Sequence, residues 1–283
     1  MKVNHRGSFQ RVFAVGLIAA GLSYAAIVPT FEPAGVQAPI VSAICAGTTT
    51  CVVGTYTFDS WPTSPAPLNT EGYSADFTTD FGTGGLIDGT YTGGLLTYGA
   101  DEYGGAGGTG LYPEIFKTDG SYTLALSTNG VPGVNYFGLW FSALDAGNLL
   151  QFYSGSTLLY TFTPADFITL VGACNGSNQF CGNPNYANHM TDSSADNGEQ
   201  FAFLNFFDTD PAAYITSIVF SEPNGGGGFE SDNHTVAYID PITVDTGTQI
   251  YGPEPSSFGL FVAGGILVAL RLRRRRGAPP QVG

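Results

Sequence analysis

From residue 51 to residue 247 the chain is a succession of short runs rich in β-branched and aromatic residues, separated by Gly, Pro and Asn. Runs of this length and composition suit half-buried strands, and outside the two ends no amphipathic helix is read. Val52 to Phe58 is the first dense run, and Trp61 to Pro67 is a proline-rich break. Twelve glycines between Gly82 and Gly110 argue for loops and loosely specified edge strands. In Ser121 to Ser127 the apolar residues Tyr122, Leu124 and Leu126 fall on one face. Leu149 to Tyr153 and Leu158 to Phe162 read as a hairpin across Ser154-Gly155-Ser156, and Gln200 to Phe207, Ile215 to Phe220 and Thr235 to Ile239 complete the series. The pattern predicts one all-β domain over 51–247, a β-sandwich of jelly-roll-like form, with 26–50 as a linker carrying the first cysteine. Hydrophobic content of 43% is ample for its core.

The two ends are different in kind. Lys2, Arg6 and Arg11 flank an apolar run from Val12 to Leu22, and Ser23-Tyr24-Ala25 offers small residues at a cleavage site. Residues 1–25 read as a secretory signal peptide, with cleavage after Ala25 or Ala26. At the other end, Pro253-Glu254-Pro255 precedes an uncharged stretch from Ser256 to Leu270 and five arginines between Arg271 and Arg276. Fifteen residues of helix rise roughly 22 Å, short of a ~30 Å hydrocarbon core unless the arginines snorkel. The arginine flank is expected to stay cytoplasmic, which places the rest of the chain beyond the inner membrane. A plain C-terminal anchor is the alternative to a processed signal.

This tripartite tail, 253–276, resembles the PEP-CTERM sorting signal of bacterial surface proteins, in which Pro253, Glu254, Pro255 and the cluster Arg273, Arg274, Arg275, Arg276 would serve sorting and processing. Within the body, Asn135-Tyr136-Phe137-Gly138-Leu139-Trp140-Phe141, Asn148 to Gly155, Asn205-Phe206-Phe207-Asp208 and Gly228-Phe229-Glu230-Ser231-Asp232-Asn233 are similar to exosortase-dependent surface proteins with one sandwich domain before that tail. The resemblance covers roughly 120–276. It implies cleavage near Pro253–Pro255 by an exosortase, transient inner-membrane anchoring and a final place at the cell surface or in the extracellular matrix. It carries no catalytic activity. His234 departs from the small apolar residue usual after Asp-Asn, which leaves the course of the last strand open. Tails of this type also go under the name of an ice-binding protein C-terminal motif, but the Thr-x-Thr pairs here form no regular array.

Between Pro39 and Gly252 there are twenty-one acids against Lys117 alone, a charge of about −20. Such a surface repels nucleic acid and anionic membranes and favours divalent cations or neutral partners, although solubility alone accounts for the charge. Exopolysaccharide is the partner that a carbohydrate-binding function would take. Cys45, Cys51, Cys174 and Cys181 form two local pairs along the chain. In an oxidising compartment they read as disulfides; of three connectivities the two local ones are preferred, and a four-thiolate zinc site lacks any C-x-x-C.

Candidate ligand groups are few. Glu230 and Asp232 project from one strand face, and with Asn233 they would suit Ca²⁺, the one cofactor that ligand chemistry suggests. The alternative is two solvated carboxylates, with Asp232 or Asn233 bonding turn amides. Asp192 to Glu199 lacks calcium-loop spacing and reads as a polar loop. His189 and His234 read as surface histidines outside any nucleophilic triad. Among the aromatics Trp61, Tyr136, Trp140, Tyr153, Tyr160 and Tyr186, Trp61 is the expected exposed sugar contact, and Trp140 lies on a strand apolar on both faces and is expected in the core. Three functions remain: a structural or adhesive matrix protein, which is the expectation, a calcium-dependent carbohydrate-binding module, or a jelly-roll glycosidase. The first is non-enzymatic.

Overall fold

The computed structural model describes residues 27–59, 76–224, 227–244 and 246–250. The expected signal peptide, Trp61, the PEP element, the apolar span and the arginine cluster lie outside the described residues. The strands run in order β1 Ile27–Phe31, β2 Thr50–Tyr56, β3 Phe77–Thr79, β4 Ile87–Gly93, β5 Leu96–Gly99, β6 Leu111–Phe116, β7 Ser121–Thr128, β8 Tyr136–Leu144, β9 Leu149–Ser154, β10 Thr157–Phe162, β11 Gln200–Asp208, β12 Ser217–Ser221, β13 Gly228–Asp240 and β14 Thr248–Gln249. Two short helices, α1 Val41–Ile44 and α2 Pro164–Val171, interrupt them. No helix among the described residues is long and apolar enough to cross a membrane.

Two antiparallel sheets result. The larger has the order β14-β1-β11-β8-β13-β6-β5 with β2 also on β13; the smaller is β10-β9-β12-β7-β4-β3. Strand β13 is long enough to have two partners on one side: Gly228–Glu230 pairs with β6, and His234–Asp240 pairs with β2. The sheets share one core, in which Phe137, Leu139 and Phe141 of β8 and Leu204 and Phe206 of β11 meet Leu124, Phe152, Ile218 and Phe220 of the smaller sheet. Alternation along β8 sends Tyr136 and Trp140 the other way. Tyr136 packs with Ile44, Phe207, Ala237 and Ile239; Trp140 packs with Ala143, Phe201 and Phe203, against Val36 and Ala106. Strand β8 is thus apolar on both faces, as the Tyr136–Trp140 run predicts, and Val36, Ile44 and Ala106 come from segments that cover the outer face of the larger sheet. Both disulfides are local, Cys45–Cys51 and Cys174–Cys181. The β9–β10 hairpin turns at Gly155, whose φ is +57°, as expected.

Two expectations need correction. Residues 26–50 are more than a linker, because β1 lies between β11 and β14 in the larger sheet and α1 covers that sheet's outer face. Helix α2 forms where no helix was read. It is only eight residues long, but its limits follow ordinary rules: Pro164 in the first turn and Gly172 just past the end at φ +86°.

Candidate functional site

One group of buried polar residues lies on β13 and the loops that meet it. Along β13, Phe229 and Ser231 point between the sheets while Glu230 and Asp232 point to the outer face. A register shift falls between Asp232 and Thr235, and Asn233 there has φ +50°. The extra residue of this bulge resets the alternation, so that His234 and Val236 turn inward.

His234 is therefore fully buried, contrary to the expectation of a surface histidine. One ring nitrogen is 2.9 Å from the Tyr91 hydroxyl on β4 and the other 2.9 Å from Ser231 Oγ, which is 3.3 Å from the Tyr122 hydroxyl on β7. The chain Tyr91–His234–Ser231–Tyr122 crosses from sheet to sheet. Phe220 stacks on the imidazole at 5.0 Å and 6°, and Phe58 and Phe137 meet it edge-on. Burial holds the His234 pKa down to about 3, so the ring is neutral. Ser231 and His234 have the spacing of a nucleophile and base, but a tyrosine hydroxyl stands where an orienting carboxylate would be, and aromatic rings close the approach. The other histidine, His189, is partly buried, with Nδ1 2.7 Å from the Cys181 carbonyl oxygen.

On the outer face Glu230 and Asp232, read as Ca²⁺ ligands or alternatively as solvated carboxylates, are both buried. Asp232 Oδ2 accepts from Ala106 N at 2.8 Å and Oδ1 from Asn233 N at 2.6 Å. Asn233 Nδ2 donates to the Gln37 carbonyl at 2.7 Å. These bonds stitch the covering segments to β13, and for Asp232 they match the alternative of a carboxylate bonded to backbone amides. Burial raises the Asp232 pKa to about 7 in spite of both amides. Glu230 stands opposite Glu114 of β6 in register, 4% exposed, and the two carboxyl groups are hydrogen-bonded to each other. Two carboxyls can bond only through a shared proton, and burial with the neighbouring Glu114 charge raises the Glu230 pKa well above the ordinary range. A Cβ on Gly228 would lie 2.3 Å from an oxygen of each, so a side chain there would displace the two carboxyl ends.

A second group adjoins the first. Glu199, immediately before β11, bonds the carboxyls of both Asp196 and Asp145, the latter from the β8–β9 turn. Burial, then Asp196 and Asp145, push Glu199 up to about 9. Asp196 is raised by burial, with the charges of Asp145 and Glu102 adding. Beside these lie Asp101, which accepts from the Tyr112 hydroxyl at 2.9 Å, and the exposed ring of Tyr103. The residues come from β6, β13, two turns and the 101–103 loop, a convergence that no sequence spacing signals. Asp192, by contrast, only caps its own turn, accepting from Ser194 N and Oγ, which fits a polar loop.

Chemically the arrangement holds protons. Among the described residues no group of three or more His, Cys, Asp or Glu side chains is placed to hold a metal ion. Glu230 pairs with Glu114, while Asp232 and Asn233 bond backbone groups. Carboxyls in mutual hydrogen bonds also leave no room for a sugar ring between them, as a glycosidase pair several ångströms apart requires. No family model, curated protein or solved structure matches the chain.

Proposed function

We propose that the chain is an exported bacterial surface or extracellular-matrix protein, structural or adhesive and non-enzymatic, built on a jelly-roll-like sandwich and sorted through its PEP-CTERM-like tail. The observation that carries this reading is the pair of local disulfides, with no free cysteine among the described residues. Such bonds persist in oxidising compartments and are rare in the cytosol. The polar groups of β13 support a scaffold over a catalyst, since they are engaged with one another and with backbone amides. The high negative charge supports keeping such a body soluble and away from anionic surfaces. A calcium-dependent lectin has less support, because both oxygens of Asp232 are already committed to N–H donors.

The test is fractionation of cells producing the full chain. The expected result is a shortened product at the surface or in the medium with both disulfides oxidised, and unprocessed precursor in the membrane for Glu254→Ala. A full-length cytoplasmic chain with four free thiols would overturn the reading. Retention of the released body on the cells' own polysaccharide would shift it from structural to lectin-like.

A further inference from the structure

The Cys174–Cys181 loop carries the triplet Asn175-Gly176-Ser177 directly after its first cysteine. Its base is fixed: the disulfide closes it, and Asn178 Nδ2 donates to the carbonyls of Val171 at 3.1 Å and Gly172 at 2.9 Å. Asn175, Gly176 and Ser177 are all exposed. Asn175 Oδ1 accepts from Ser177 N at 3.1 Å and Ser177 Oγ at 2.8 Å. That compact turn needs the φ of +75° that Gly176 supplies. Both bonds fall on Oδ1 rather than on the amide nitrogen Nδ2, and Asn175 is an exposed residue.

We propose that Asn175 is a glycan-attachment site, modified on Nδ2 by an oligosaccharyl transferase that reads Asn-x-Ser/Thr. The co-substrate is a lipid diphosphate-linked oligosaccharide. The Nδ2–C1 bond forms as the C1–O bond to the diphosphate breaks; the lipid diphosphate leaves and the amide nitrogen gives up one proton. The chain contains its own control. Asn233-His234-Thr235 has the same pattern, but His234 and Thr235 are fully buried and Asn233 Nδ2 is bonded to the Gln37 carbonyl. Sequence makes the two sites equivalent; the fold exposes only one.

The proposal rests on export, since the transfer takes place outside the cytoplasm. Peptide mapping by mass spectrometry of the secreted protein tests it. Expected is a sugar mass on the Asn175 peptide and none on the Asn233 peptide, with the mass lost in Ser177→Ala and kept in Ser177→Thr. A bare Asn175 peptide in secreted, disulfide-oxidised protein overturns the proposal and leaves the export reading standing. A chain found only in the cytoplasm with reduced thiols overturns both. Sugar that persists in Ser177→Ala also overturns it, because recognition would then lie elsewhere.

Discussion

His234 fills a space between Phe58, Phe137 and Phe220 with a side chain that must keep both nitrogens bonded and its charge off. A folded pKa of about 3 against an ordinary 6.5 means that the unfolded chain binds a proton the folded one refuses. The penalty is absent above about pH 6.5 and grows by roughly 1.4 kcal/mol per pH unit as pH falls toward 3. His234→Leu strands the buried hydroxyls of Tyr91 and Ser231 and is expected to cost about 1–3 kcal/mol at pH 7. The gap between variant and wild type should narrow as pH drops to 4, read from denaturant midpoints; a constant gap would show that His234 does not titrate as described. None of this was legible beforehand, because an unbulged strand would carry Asn233 inward and leave His234 outside. The bulge depends on a single left-handed residue, and asparagine tolerates that conformation without announcing it.

At the scale of elements, close approach decides where small residues are required. A Cβ on Gly54 of β2 would lie 2.4 Å from the Phe81 carbonyl oxygen and 2.6 Å from the Thr83 methyl. Gly54→Ala is expected to cost about 1–3 kcal/mol, since backbone must shift. Gly198→Ala, with nothing within 4 Å, should change stability by less than about 0.5 kcal/mol. Equal denaturant midpoints for the two would contradict the packing of β2 against the Phe81 turn. The long β runs were readable from alternation and turn residues, as were the β9–β10 hairpin and the doubly apolar β8. Strand β1 is hard to read from sequence because a proline, Pro29, stands in its middle; it is accommodated because its carbonyl accepts from Ile250 N while the proline has no N–H to place. Helix α2 was missed because eight residues are too few to show a helical period. The carboxyl group escaped notice because Glu114, Asp145, Glu199 and Glu230 are far apart in sequence and meet only in the fold.

At the scale of the whole molecule, the two titrating systems oppose each other. Glu199, raised to about 9, holds in the folded state a proton that the unfolded chain releases near its ordinary 4.5. Its contribution is complete below about 4.5 and is lost as pH rises through 9, the reverse of His234. Thermal unfolding should therefore show a stability maximum with falling limbs on both sides, and Glu199→Gln, which still donates to Asp196 and Asp145, should flatten the alkaline limb. An unchanged alkaline limb would mean the shared proton is not at Glu199. The body also has a mechanical asymmetry. Strand β14 pairs antiparallel with β1, Thr30 with Gln249 and Phe31 with Thr248, so the start of β1 and the end of β14 lie at the same end of the pair, with Ile250 beside Pro29. Tension between these two ends would open β14 from β1 one rung at a time, as a zip opens, rather than shear a whole row of hydrogen bonds together. Such a contact yields at low force and gives slack early, while the two large sheets behind it carry almost no load.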